Sequence, residues 1–162
     1  MTADEREGTS AAAAVESLGD LFERAYAPMV RLAYLLTGSN EAAEDLVQDC
    51  FARLHDKWEK VEQPGAYLRA SVANACRSWH RRRHREERRL QSVVERDEIA
   101  LGVDELLDAV GKLPYAQRTA LVLRYYEHCD EAEIAAALGC PRNTVKSHLH
   151  RGIAALRLVV EK

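Results

Sequence analysis

Arg142, Asn143, Lys146, Ser147, His150 and Arg151 fall at steps of one, three and four in a stretch with no acidic residue from Pro141 to Arg157. Side chains at these steps share one face of a helix. Arginine and asparagine make paired hydrogen bonds to base edges, and lysine and arginine neutralise phosphates. The chemistry on offer is recognition of duplex DNA. The same stretch carries Val145, Leu149, Ile153 and Leu156 at helical spacing, so a second face is apolar. It follows residues 131–139, where Ile134, Ala135 and Leu138 form another apolar face before Gly139-Cys140. Helix, tight turn and helix is the helix-turn-helix pattern, and small Ala135 lets the second helix approach closely.

A second group lies upstream. Tyr67, Leu68, Val72, Cys76 and Trp79 mark one side of a predicted helix, and Arg69, Ala73, Arg77 and Arg81 line another, with Asn74 beside them. Surfaces for single-stranded nucleic acid interleave guanidiniums for phosphates with rings for unstacked bases. The plainer reading, in which Tyr67 and Trp79 are core and the arginines are solvated, stays open at this point. A third group is acidic. Glu41, Glu44, Asp45, Gln48 and Asp49 share one face of a helix whose other side is Ala43, Leu46, Val47, Cys50 and Leu54. Such a face is either solvated or meets a basic partner.

Other chemistries fit poorly. Cys76, His80 and His84 share a helix face, but arginines surround them and no carboxylate stands beside them, which disfavours a cation. His148 and His150, two apart, point in different directions. Cys50, Cys76, Cys129 and Cys140 form no Cys-x-x-Cys pair and read as reduced structural thiols, Cys50 and Cys76 on buried faces. With no nucleophile–base pair and no glycine-rich phosphate loop, the chain is expected to be a non-enzyme without cofactor or metal.

The 162 residues carry 23 basic and 26 acidic side chains, a net charge of −3. A free-standing DNA binder is usually basic. Here the charge is segregated, with Arg77, Arg81, Arg82, Arg83, Arg85, Arg88 and Arg89 crowded together. That pattern suits weak DNA binding alone and a protein partner for the acidic parts. No apolar run approaches membrane-spanning length, and the polar start is not a secretory signal, so a cytoplasmic protein without membrane insertion is expected.

An all-α fold of two small helical domains follows from the periodicity. Residues 1–16 read as a flexible tail, 17–85 as the first domain, 86–102 as a charged linker, partly helical at best, and 103–162 as the second domain. The first helix carries Leu18, Leu21, Phe22, Ala25, Met29, Ala33 and Leu36, with Pro28 expected to kink it and Gly38 to stop it. Ser39 or Asn40 caps the second helix. A connector containing Trp58 leads to Pro64, which suits a helix start. In the second domain, one helix through Leu106, Leu107, Val110 and Leu113 ends before Pro114. Another from about Ala116 carries Leu121, Val122 and Tyr125. Domains of about sixty residues have small cores, which docking on a large partner would stabilise.

Together these segments resemble the extracytoplasmic-function (ECF) group of bacterial RNA polymerase sigma factors, and the arginine and alanine usage is similar to that of actinobacterial members. Residues 43–51, Ala-Glu-Asp-Leu-Val-Gln-Asp-Cys-Phe, resemble the family's polymerase-binding segment. Residues 67–74 with Arg81-Arg82 resemble its promoter-melting, −10-reading helix. Leu113-Pro114, Arg118, Leu123-Arg124-Tyr125, Glu133-Ile134-Ala135, Thr144-Val145-Lys146-Ser147 and His150-Arg151 resemble its −35-reading region. The chain departs from the usual pattern at Tyr67 (often Trp), Ser78 (often Asp), His148 (often Arg) and Pro141 (often Ser).

The resemblance implies a factor that binds core RNA polymerase and directs initiation at specific promoters. It implies that Glu44, Asp45, Gln48 and Asp49 dock on polymerase. Trp58, Tyr67, Arg69, Asn74, Arg77 and Arg81 would then serve the −10 strand, with Asn74 as the foremost polar contact. Arg142, Asn143, Thr144, Lys146, Ser147, His150 and Arg151 would serve the −35 duplex. It further suggests an anti-sigma factor as partner. The rival readings are a helical adapter or decoy that binds polymerase or a regulator without initiating, and a two-domain repressor.

Overall fold

The computed structural model describes residues 15–90 and 105–161, and among them all regular structure is helical. The first domain comprises α1 (Leu18–Thr37), α2 (Asn40–Lys57), a 3-10 turn at Trp58–Lys60 and α3 (Pro64–Leu90). The second comprises α4 (Glu105–Lys112), α5 (Tyr115–Leu121), a π-helical turn at Val122–Tyr126, α6 (Glu131–Leu138) and α7 (Arg142–Val160). The tail reading, apart from its last two residues, and residues 91–102 of the predicted linker lie outside the described residues. The start of that linker continues α3 as far as Leu90.

Local signals account for the helix ends. Ser17 caps α1 in a reciprocal box with Asp20: its Oγ accepts from the Asp20 amide at 3.1 Å, and its own amide donates to Asp20 Oδ2 at 3.0 Å. Glu16, the last residue of the predicted tail, pairs with Arg24. Gly38 ends α1 in the left-handed conformation, φ +76°, which glycine adopts at no steric cost. Ser39 then caps α2 through the Ala42 amide, 3.2 Å. α1 runs continuously through Pro28.

α1, α2 and α3 bury Leu21, Leu32, Leu36, Val47, Cys50, Leu54, Leu68, Val72 and Cys76 against one another. Phe22, expected on the apolar face, is instead 45% exposed. It sits at the rim where α1 meets α2, stacked on Tyr26 and edge-on to Phe51, each at 4.9 Å between centroids. Tyr125 is also solvent-facing, because the π turn breaks the 3.6-residue period that would have carried it inward.

In the second domain Leu123, Ile134 and Val145 are fully or nearly fully buried. Gly152 lets α7 close on α5: a Cβ there would stand 2.8 Å from Leu121 Cδ1. The two domains are docked, and most of their buried apolar residues join in a single cluster, which leaves out Ala109, Leu113 and Leu121 of the second domain. The two small cores expected from the sequence are thus one continuous apolar interior.

Candidate nucleic-acid and polymerase interfaces

Asp130 starts the helix-turn-helix as the cap of α6. Its carboxylate accepts from the Glu133 amide at 2.8 Å while Glu133 Oε2 accepts from the Asp130 amide at 2.8 Å. Gly139 closes α6 at φ +63° and turns the chain into α7. Val145, fully buried, anchors α7, and the opposite face points to solvent. Arg142, Asn143, Lys146, Ser147, His150 and Arg151 are all exposed there. Thr144 is half-buried, with its amide on the Pro141 carbonyl at 3.0 Å. The Ser147 hydroxyl donates to the Asn143 carbonyl at 3.2 Å, and Lys146 Nζ stands 3.9 Å from Glu131 Oε2.

Pro141 supplies no side-chain cap, so the amides that open α7 are not satisfied by a neighbouring side chain. Such amides and the positive helix end suit a phosphate. Arg124, which the sequence reading did not single out as a contact, lines a cleft with Arg142, Asp130, Glu131 and Ala132. It is exposed on the π turn and donates to the Cys129 carbonyl at 3.3 Å, so the cleft pairs two guanidiniums with two carboxylates.

Of the residues predicted for the −10 strand, the five on α3 divide between two of its faces. Tyr67, Asn74 and Arg81 are seven apart and form one line, with Asn74 and Arg81 exposed and Tyr67 half-buried against the core. Arg69 and Arg77 lie on the adjacent face, against the second domain. Arg69 Nη2 donates to Glu133 Oε1 at 3.2 Å, and its Nη1 is 3.8 Å from Glu127 Oε2. Arg77 packs on Gly139, and its Nε is buried without a hydrogen-bond partner. Trp58, in the 3-10 turn, and Trp79 both pack partly buried against the core. The Arg83 guanidinium covers the Trp79 ring at 5.2 Å.

His80 continues the packed face. Its Nε2 contacts the Leu36 carbonyl at 2.6 Å, and its ring lies 4.3 Å from that of Tyr115. The Leu36 carbonyl can only accept, so Nε2–H donates; burial lowers the His80 pKa against the rise from that hydrogen bond, and Arg118 and Arg83 add to the lowering. Burial likewise pushes the thiols up, Cys50 and Cys129 to about 11 and Cys76 to about 12, and these cysteines stay protonated at neutral pH.

On α2, Glu44, Asp45, Gln48 and Asp49 are all exposed, while Leu46, Val47 and Cys50 between them are buried. Gln48 Nε2 donates to the Tyr26 hydroxyl at 3.4 Å, which joins the acidic face to the aromatic rim of Phe22 and Phe51. No helix among the described residues is long and apolar enough to cross a membrane.

Two family models match. Residues 21–86 match Sigma-70 region 2, and residues 104–156 match Sigma-70, region 4. The RNA polymerase sigma-E factor of Streptomyces coelicolor is 36% identical over 137 residues, covering 80% of this chain and 77% of its own. The ECF RNA polymerase sigma factor SigL of Mycobacterium tuberculosis is 30% identical, covering 94% and 95%. Among solved structures, the sigma factor RpoE in complex with the anti-sigma factor NepR, from Bartonella quintana, superposes with a TM-score of 0.72 at 23% identity. That match covers 91% of this chain and 98% of the other. CnrH in complex with the cytosolic domain of CnrY gives 0.60 at 21%, covering 89% and 87%. The chain belongs to the extracytoplasmic-function family of RNA polymerase sigma factors, which bind core polymerase and direct promoter-specific initiation of transcription.

Proposed function

We propose that this sigma factor divides promoter recognition between the two exposed faces described above and holds polymerase through a third. The observation that carries this reading is the α7 face, on which Arg142, Asn143, Lys146, Ser147, His150 and Arg151 stand together in solvent on a helix anchored by Val145. Entering the −35 major groove, Arg142 and Asn143 suit base edges, each paired contact worth about 1–3 kcal/mol of discrimination. Lys146 and Arg151 suit phosphates, and Thr144 supports the start of the helix.

The first domain takes the non-template strand of the −10 element. Asn74 and Arg81 offer polar and phosphate contacts, Tyr67 and Trp58 bound the base pocket, and Arg69 and Arg77 add positive charge beside it. Unstacking a base costs a few kcal/mol, which stacking on rings and phosphate contacts offset. Glu44, Asp45, Gln48 and Asp49 dock on a basic surface of core polymerase. The linker that ends in α4 sets the distance between the two promoter elements. The chain is cytoplasmic and non-enzymatic: it supplies binding, and polymerase makes the bonds. An anti-sigma protein is a further partner, a reading supported by the partners named for the structurally similar RpoE and CnrH.

Run-off transcription with purified core polymerase, across a set of candidate promoters, tests this reading. Initiation dependent on this chain is the expected result. Stable binding to core without initiation at any promoter would replace it with the adapter or decoy.

A further inference from the structure

We propose that Glu131 is a positioning residue for duplex recognition: it holds Lys146 across the helix-turn-helix cleft and so limits how strongly the second domain grips any duplex. This rests on the assignment of α7 to the −35 duplex and adds a residue which that assignment does not contain.

No acidic side chain lies between Pro141 and Arg157, so the reading helix carries no anion of its own. The anion comes from α6. Glu131 Oε2 stands 3.9 Å from Lys146 Nζ, with the lysine side chain 62% exposed and the glutamate 35%, so the pair is in contact with solvent. Glu131 also lines the cleft that holds Arg124 and Arg142. The two other carboxylates at the start of α6 are engaged elsewhere. Asp130 accepts from the Glu133 amide, and Glu133 accepts from the Asp130 amide and from Arg69. That reciprocal box already caps the helix, so Glu131 is not required as a cap. A carboxylate in the first turn gains a little from the helix dipole. The dipole does not account for a side chain that meets the lysine of the next helix.

The consequence is electrostatic. Lys146 offers its charge to a phosphate, and phosphate contacts hold a protein on DNA without reading sequence. An ammonium shared with a carboxylate attracts a phosphate less. Once it turns to the DNA, it leaves Glu131 beside a second anion. Both effects oppose binding to every duplex alike. Arg142 and Asn143, which suit the base edges, are exposed and stand outside this pair, so discrimination between sequences is kept while the overall grip falls. The same device lowers occupancy of unrelated DNA by the free chain, in keeping with its net charge of −3. An exposed ion pair shifts an equilibrium by up to roughly fivefold, and one like charge beside DNA acts on the same scale. Glu131 therefore tunes affinity and does not switch it.

The test uses the full chain. E131Q is the variant, and E161Q, which removes the same charge at the exposed far end of α7, is the control. Fluorescence anisotropy reads affinity for two unrelated duplexes of about 25 base pairs, between about 50 and 200 mM salt. E131Q is expected to bind both duplexes about three- to tenfold more tightly than wild type, by the same factor on each. It should also steepen log affinity against log salt by up to about one. In a K146A background most of the gain should vanish, because the lysine that Glu131 acts through is gone. The melting temperature should stay near wild type, since the capping box is untouched. A merely structural role would move the melting temperature and leave the salt slope alone.

A gain no greater than that of E161Q overturns the proposal. So does the full gain in the K146A background, which would make Glu131 a direct repellent of phosphate. A gain on one duplex only would make it a base reader and overturns the proposal too. K146A alone tests the assignment beneath: unchanged duplex affinity in that variant removes α7 from the DNA, whatever E131Q does.

Discussion

The guanidinium of Arg77, on the third helix of the first domain, fills the space where a side chain at Gly139 would begin, with Nη1 nearest the position a Cβ would take. Gly139 also holds φ +63°, which costs an L-residue roughly 1 kcal/mol. Gly139→Ala is expected to lower stability by about 1–2 kcal/mol in denaturant unfolding. Adding Arg77→Ala should recover the steric part and leave the backbone part. A double-mutant cycle with no coupling would show that the two residues do not meet in solution.

His128 is the non-glycine residue with positive φ, +55°, among the described residues. It follows the π turn, and the Cys129 amide reaches back to the Leu123 carbonyl at 2.9 Å, so the chain needs a left-handed residue there. His128→Gly should raise the free energy of unfolding by about 0.5–1 kcal/mol. A lower melting temperature would mean that the imidazole makes a contact worth more than the backbone strain.

Asp45 and Asp49 are exposed on α2 beside fully or nearly fully buried neighbours. Reversing both to arginine should abolish co-purification with core polymerase while helical circular dichroism and melting temperature stay close to wild type. Undiminished co-purification would remove the acidic face from the polymerase contact.

Arg142→Ala and Lys146→Ala should act differently on the −35 duplex. Loss of Arg142 is expected to cost about 1–3 kcal/mol and to relax sequence preference at one base pair. Loss of Lys146 should weaken all sequences alike and reduce the slope of log affinity against log salt by about one. Titrations of the holoenzyme at several salt concentrations distinguish the two, and unchanged promoter affinity in both variants would place the DNA elsewhere.

Acid should weaken the fold through His80. Its folded pKa lies below the ordinary histidine value, chiefly from burial, so the unfolded chain binds a proton that the folded chain resists. Stability is therefore full at neutral pH and falls as pH drops through about 6.5, the unfolded value. His148, lowered by burial and by Arg151, works in the same direction. Melting temperatures between pH 7.5 and 5 should decline. His80→Gln, which still donates to the Leu36 carbonyl, should flatten that limb. An identical decline in the variant would assign the effect to other groups.

Much of the architecture was legible in the sequence because helix ends and amphipathic faces are local properties. Gly38, Ser39, Pro64 and Gly139 each stop or start a helix where their backbone or hydrogen-bonding preferences require it. The outward faces of α2 and α7 followed from periodicity, since burying Val47 or Val145 fixes which side of the helix meets water. Phe22 and Tyr125 were less predictable. One lies at a rim between two helices, and the other lies within a π turn that changes the period.

The arginines of α3 mark the limit of sequence reasoning. Arg69, Arg77 and Arg81 are alike in type and regularly spaced, yet Arg81 is exposed while Arg69 meets Glu133, 64 residues away. Composition and spacing determined that the helix is basic and that one side of it faces the core. Only the docking of the second domain decided which guanidiniums meet carboxylates and which remain free for phosphate, because the partner of a long charged side chain is set by packing between segments distant in sequence.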